Sequence, residues 1–447
     1  MTYSFITRGD FRAQLATRLQ DPEMRFWVAE ELNAYINEAL QLLGVAGLYF
    51  RERVTQTAAQ GVTFYDIADC VAGDGSFPLT RTTTDQQLVN QLQRHLQEPV
   101  NDFSVSAAYA GTEMFTMDAF QNALERRLNR YLFDTHLLVI EQQQNVTTGN
   151  GRVPLPGEVV DIVRAAWSVL DTDGNPTATR RLWRTDEAVA ARQAPQWTVR
   201  SGKPTSYSLV VEPATQIQLI PAPNDGGRLE LLTVVASVSL DVTNGIILNL
   251  PNDLCQFIKW GAMADLLGHD GQARDPQRSD YCEKRYQEGV QLGKLYTHAL
   301  NAELNGLPLQ MSSVTALDAH TPRWQETQGR PRTYGMAGVN LLALSPPPDT
   351  NYGIGMDVVR NAVLPTADGD FLQIGQDAQD PLLDYCEHLA MFKCGGAEWE
   401  ATLPHYQRFM SFCADSNSRL KASAEMFEVL VGNAQMQAKA EPLRASA

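Results

Sequence analysis

One thirteen-residue pattern is written twice in this chain, and the fixed spacing of the copies constrains the fold more than any other feature. Pro195-Gln-Trp197-Thr-Val-Arg-Ser-Gly202-Lys203-Pro204-Thr-Ser-Tyr207 is matched without a gap by Pro322-Arg-Trp324-Gln-Glu-Thr-Gln-Gly329-Arg330-Pro331-Arg-Thr-Tyr334. Five identities and a Lys/Arg exchange all fall at one offset of 127 residues, which marks an internal repeat. Further on, Leu219-Ile-Pro221-Ala-Pro223-Asn224 pairs with Leu344-Ser-Pro346-Pro-Pro348-Asp349, and Ala262-Met263, Gly268 and Pro276 pair with Ala390-Met391, Gly396 and Pro404. Each copy is therefore expected to run from a Trp–turn–Tyr signature, through proline-bounded strands, into two helices, so that 195–295 superposes on 322–420. A fainter echo links Trp27 to Leu43 and the following Thr55–Tyr65 with Phe120 to Leu132 and the following Gln143–Pro156. With that echo the order becomes helix unit, helix unit, strand–helix unit, strand–helix unit, which is a nested arrangement.

The signature has a plain physical reading. A Trp supplies a large apolar area, Gly-Lys-Pro or Gly-Arg-Pro breaks the strand, and the Tyr three residues after Pro re-enters a sheet. Trp197, Gly202, Pro204 and Tyr207, with Trp324, Gly329, Pro331 and Tyr334, are expected as structural signature residues: a core anchor and a turn, twice.

Hydrophobic periodicity places the rest. Helices are predicted over 9–21 and 24–43, the second carrying Trp27, Leu32, Tyr35, Ile36, Ala39, Leu40 and Leu43 on one face and stopped by Gly44 and Gly47. A β-like stretch follows over 51–67, a turn cluster over 69–76, and helices over 86–98 and 117–132. A β-rich region with turns at 171–176 and 224–227 runs from about 145 to 250, and in it Ile217, Leu219, Leu229 and Leu231 alternate with polar neighbours. Helices return over 252–268, 276–304, 381–395 and 400–431. The expected class is α+β: a helical bundle portion plus two repeated β-rich, sandwich- or barrel-like units, each followed by a helix pair. The domain reading is 1–150 mainly helical, 151–310 the first β-rich plus helical unit, 311–431 its duplicate, and 432–447 a flexible tail.

Composition narrows the function classes. Lys and Arg total 36 against 52 Asp and Glu, a net charge of −16, which disfavours broad binding to phosphate backbones. The six cysteines form no C-x-x-C pair, so they read as reduced, mostly buried thiols. The first ten residues lack the pattern of a signal peptide and no apolar run is long enough to span a membrane, so a soluble protein made in the cytosol is expected.

Sequences that suggest chemistry fail on inspection. Gly202-Lys203 has Trp197 where a phosphate loop needs Gly, and Pro204 where it needs Ser or Thr. Asp171-Thr-Asp173-Gly-Asn175 opens like a calcium loop but meets Pro176 and Leu182 where Gly and Glu are required. Gly353-Ile-Gly355 lacks the third glycine of a dinucleotide fingerprint. His269-Asp270 beside Arg274-Asp275 could serve acid–base chemistry, but Gly268 and Asp275-Pro276 read as the end of one helix and the start of the next. No cofactor, metal or catalytic residue is assigned, and the protein is not expected to be an enzyme.

Taken as an ensemble, Trp27 through Tyr35-Ile-Asn-Glu-Ala-Leu40, Leu155-Pro-Gly-Glu158-Val-Val-Asp-Ile-Val163, Trp197 with Gly202-Lys-Pro204 and Tyr207, Leu219-Ile-Pro-Ala-Pro223, and Pro251 through Leu267 to Asp275 resemble the head-to-tail adaptor (connector) proteins of short-tailed bacteriophages. The family pattern fits once, whereas here its C-terminal half recurs at 322–420. The resemblance implies a structural virion protein at the head-to-tail junction, assembled in the host cytoplasm. It implies a homo-oligomeric ring, expected to be dodecameric, that contacts the portal protein and the tail nozzle or tail fibre proteins. Genomic DNA would pass through without sequence-specific binding, and no membrane is involved. The helices of 24–43 and 276–304 are expected to contribute much of the portal contact. Six chains with two equivalent units each remain an alternative count. A tail component or receptor- or carbohydrate-binding protein with two β modules, and a hydrolase built on the β-rich region, remain alternative functions.

Overall fold

The computed structural model describes residues 6–418 apart from 104–113, 173–175, 194–195, 198, 211–214, 236–238, 296–298 and 322. Pro195, Pro322, part of the turn at 171–176, the end of the expected 400–431 helix and the expected tail lie outside those residues. In chain order the elements are α1 (Arg8–Arg18), α2 (Ala29–Gly47), β1 (Arg51–Ala58), β2 (Phe64–Asp66), β3 (Val71–Ala72), α3 (Asp85–His95), α4 (Met117–Thr135), β4 (Val139–Val146), β5 (Arg152–Pro154), β6 (Val159–Leu170) and β7 (Pro176–Arg184). They continue as α5 (Glu187–Gln193), β8 (Ser201–Gly202), β9 (Ser206–Val210), β10 (Gln216–Ile220), β11 (Ala222–Pro223), β12 (Gly227–Val235), α6 (Cys255–Gly268) and α7 (Pro276–Leu295). The last are β13 (Ala299–Leu304), β14 (Leu307–Pro308), β15 (Gln310–Ser313), α8 (Val314–His320), β16 (Thr333–Ala337), β17 (Leu341–Ser345), β18 (Tyr352–Val359), α9 (Gln376–Phe392) and α10 (Gly396–Glu400), followed by a helical stretch over 403–418. The class is α+β, with barrel-like sheets.

Two compact units divide these elements: residues 1–50, 93–98 and 361–447 form one, and 51–92 with 99–360 form the other. The first is helical. Thr7 starts α1 by accepting a hydrogen bond from the Asp10 amide, the ordinary way to satisfy an orphan donor at a helix N-terminus. The second helix starts later than its periodicity suggests because the Asp21 carboxylate accepts from the amides of Arg25, Phe26 and Trp27 and holds them in a loop. It also runs through Gly44 and Gly47, both buried, and stops only at Leu48, which adopts left-handed φ 48° and ψ 39°. The glycines are packing residues there and not stops. Trp27 donates to the Ala390 carbonyl, which ties the α2 entrance to α9.

In the second unit α4, α6 and α7 pack closely. Gly261 of α6 faces Tyr286 and Arg127, Gly289 of α7 faces the Phe257 ring, and Gly293 faces the Tyr131 hydroxyl, with no room for a Cβ at any of the three. The α7 helix ends at Leu295. Residues 299–304, expected to continue it, form β13 instead, because Ala299, Ala302 and Leu304 are buried in a sheet core against β18.

Among the described residues the strands bury two sheet cores and contribute to a third apolar cluster that holds Phe64, Val139, Leu232, Trp324 and Ala343. A seven-stranded sheet orders β4-β12-β6-β7-β9-β10-β5, parallel only at β7–β9, and buries Val146, Val153, Trp167, Tyr207, Ile217 and Leu229. A five-stranded sheet, β14-β13-β18-β1-β3, and a four-stranded sheet, β15-β16-β17-β2, bury a second core of Ala58, Tyr65, Leu304, Tyr334, Leu342 and Ile354. Opposite residues in the two cores follow a common register: Tyr207 lies across from Leu219, and Tyr334 across from Leu344. Both β10 and β17 lead into a cis X-Pro bond, at Ile220–Pro221 and Ser345–Pro346.

Candidate functional site

Around the two Trp–Gly–Pro–Tyr corners the backbone is pinned in the same way. At the first, the Trp183 amide donates to the Thr205 carbonyl (3.1 Å), Thr205 to Ile220 (3.0 Å), and Gly149 to Pro223 (2.7 Å). At the second, Gln310 donates to Arg332 (2.9 Å), Arg332 to Ser345 (3.0 Å), and Gly61 to Pro348 (2.8 Å). Gly202 pairs with Pro223 and Gly329 with Pro348, each in parallel register, and a Cβ on either glycine would press on the following proline ring, Pro221 or Pro346. Pro204, Tyr207, Pro331 and Tyr334 are all buried. Burial pushes both tyrosine hydroxyls up to about 12, so neither is available as an acid or base near neutral pH.

The tryptophans differ. Trp324 is 4 % exposed, packs edge-on to Phe64, and donates from Nε1 to Asp318 at 2.9 Å. Asp318 in turn takes a two-pronged contact from Arg164 of β6 (2.8 and 3.0 Å), whose guanidinium also reaches Gln325. Arg181 of β7 lies 3.7 Å from the same carboxylate. This buried cluster clamps α8 and the second corner onto β6 and β7, and paired hydrogen bonds of this type satisfy charges that would otherwise be costly to bury. Trp197, expected as the equivalent core anchor, is only half-buried and lies outside the core of its sheet. Its corner lacks a counterpart of Asp318, since position 191 is Ala.

The polar constellation between α6 and α7 is an inter-helix corner. Gly268 ends α6, the Asp275 amide returns to the Leu267 carbonyl, and the Asp275 side chain accepts from the Arg278 amide at the start of α7. Arg274 pairs with Asp270 at 3.0 Å on the surface, and His269 Nδ1 contacts the Asp270 carbonyl. A cleft of about 600 Å³ lies beside it, with Thr116, Arg126, Asp265 and His269 in its wall. Asp265 would be raised by burial, but hydrogen bonds from Arg127 and Arg126 bring it below the usual carboxylate range. It is a spent counter-ion and not a proton acceptor. Among the described residues, Asp384, Glu387 and His405 stand close enough to hold a metal. Arg18 and Arg408 already bind Asp384 at 2.9 Å each, which makes the group an ion-pair network.

The thiols fit the same picture. Five of the six cysteines are buried and Cys394 is exposed, and none is in a disulfide. Burial pushes Cys70 and Cys255 up to about 12. The Arg164–Asp318 and Arg127–Asp265 pairs have no signature in the sequence, because each joins residues more than a hundred positions apart.

Pro204, Tyr207, Trp324, Pro331 and Tyr334 of the two signatures are buried, and Gly202 and Gly329 sit at the two corners. Residues 83–301, from just before α3 to within β13, match the family model described as SU10 adaptor protein. That match covers just under half of the chain and supports a phage head-to-tail adaptor. No curated protein matches the chain. Among the described residues no helix is long and apolar enough to cross a membrane.

Proposed function

We propose that this protein forms a closed homo-oligomeric ring at the head-to-tail junction, joining the portal protein to the tail nozzle and lining part of the DNA channel. The observation that carries the reading is the adaptor-family match across α3 to α7. The charge balance supports it: at −16 a subunit repels the duplex, so the genome slides past without the counterion release that makes DNA stick. The resemblance implies a twelve-fold ring, of twelve chains or, as the competing count, of six with two equivalent units each. Assembly takes place in the host cytoplasm and the product resides in the virion; no catalytic step is assigned.

The receptor-binding alternative needs both signature tryptophans open to a sugar face, and Trp324 is in the core. Electron microscopy of the purified protein, alone and with its portal, tests the proposal. A closed ring that docks coaxially on the portal is expected. A monomer, or a trimer projecting outward, would reject it.

A further inference from the structure

We infer that the chain carries two complete adaptor modules, one inserted into a loop of the other, and that each chain fills two module positions in the assembly. The first half of this inference rests on register alone. The helices α2 and α4 have the same length, 19 residues, and both end on a left-handed residue, Leu48 (φ 48°, ψ 39°) and His136 (φ 49°, ψ 36°). After the same gap come β1 and β4, eight residues each. Ala58 pairs with Tyr352 and Arg51 with Val359; Val146 pairs with Gly227 and Val139 with Val234. The two pairings are thus identical end to end. Gly61 and Gly149 then occupy the same left-handed turn, φ 75° and 79°.

The correspondence extends to irregular features, which chance does not reproduce. The register of β13 against β18 slips between Ala299 and Asn301, and that of β6 against β12 slips at the matching point between Ile162 and Arg164. Such bulges are positional features of a fold. Besides the parallel contact at its corner, each module has a parallel strand pairing at the signature tyrosine, Met311 with Tyr334 and Arg184 with Tyr207. Each opens on a single bridge just before its first helix, Thr7 with Phe371 and Thr84 with Ile247. Apart from β3, which adds to the outer edge of β1, the sheet order β4-β12-β6-β7-β9-β10-β5 is read again as β1-β18-β13, then β14 and β15 in place of β7, then β16-β17-β2. The helices α5 and α8 stand at the repeat offset of 127.

The inner module is α3 to α7 and is continuous. The outer one is α1 to β2, resumed at β13, with the inner one placed in the connection that corresponds to residues 155–158 of the inner copy. This accounts for the extent of the family match. It covers the unbroken module, 83–301, and stops where the interrupted one resumes.

The second half of the inference rests on the ring reading above. Two modules of one fold offer the same kind of surface to a neighbour, so each chain contributes two consecutive positions and the ring holds half as many chains as modules. Native mass spectrometry of the assembled full-length protein counts chains, and a reconstruction without imposed symmetry counts modules. Twice as many modules as chains, alternating inner and outer around one annulus, is expected. Equal numbers in the annulus, with the outer modules decorating its periphery, would overturn the inference and leave the ring intact. A monomer would overturn both.

Discussion

Trp324 and Trp197 occupy matched places in the sequence but do unequal work, and stability measurements should separate them. Trp324→Ala removes a buried ring and strands the Asp318–Arg164 pair, so a loss of about 3–5 kcal/mol is expected from chemical denaturation. Trp197→Ala, at a half-buried position outside the core, should cost about 1 kcal/mol. Equal losses would refute the distinction. Asp368 offers a residue-scale test in pH. Hydrogen bonds from Arg12 and Arg8 hold its carboxyl at about 2. A folded-state value below the unfolded one, about 3.9, means the contribution is present above that value and is lost as pH falls through about 2. The urea midpoint of the natural protein should therefore exceed that of Asp368→Asn at pH 5, and the gap should close between pH 4 and pH 2. Added salt should narrow it too, since the Asp368 carboxylate faces solvent.

Helix packing around α6 and α7 depends on glycines at contact points. Alanine at position 289 gains up to about 1 kcal/mol in helix propensity, but its Cβ would collide with Phe257, and overpacking of that kind costs about 1–3 kcal/mol. Gly289→Ala should thus be destabilising in thermal unfolding, while Gly271→Ala, which meets nothing within 4 Å, should be close to neutral. At this scale the sequence was readable where one element's own pattern settled the matter. That Ile217, Leu219, Leu229 and Leu231 are buried strand residues follows from local spacing, but their polar neighbours Gln218 and Glu230 are buried as well, so these strands are not the half-buried ones the alternation suggests. Helix ends were not readable where a remote or forward-reaching group decides them, as with Asp21 before α2. The helix expected to reach 304 failed for a related reason, since residues 299–304 are strand only because β18 is there to pair with them.

For the whole molecule, the charge of −16 has a measurable consequence. Double-stranded DNA should show no retention by the assembled protein at low ionic strength, where counterion release would favour any cationic lumen most strongly. Tight, salt-sensitive binding would contradict a channel that repels its cargo. The ion-pair networks were invisible in sequence for the same reason that the sheet order was: their partners are joined by folding and not by neighbourhood.

The pairing of Arg51 with Val359 also dictates a timetable. On the ribosome, β4 can find β12 as soon as residue 235 emerges, whereas β1 must wait for a strand that ends at residue 359. Closing so long a loop is slow and entropically costly. The pairing of β4 with β12 is therefore expected to form during synthesis, whereas β1, which can meet β3 early, stays without its β18 partner until residue 359 emerges.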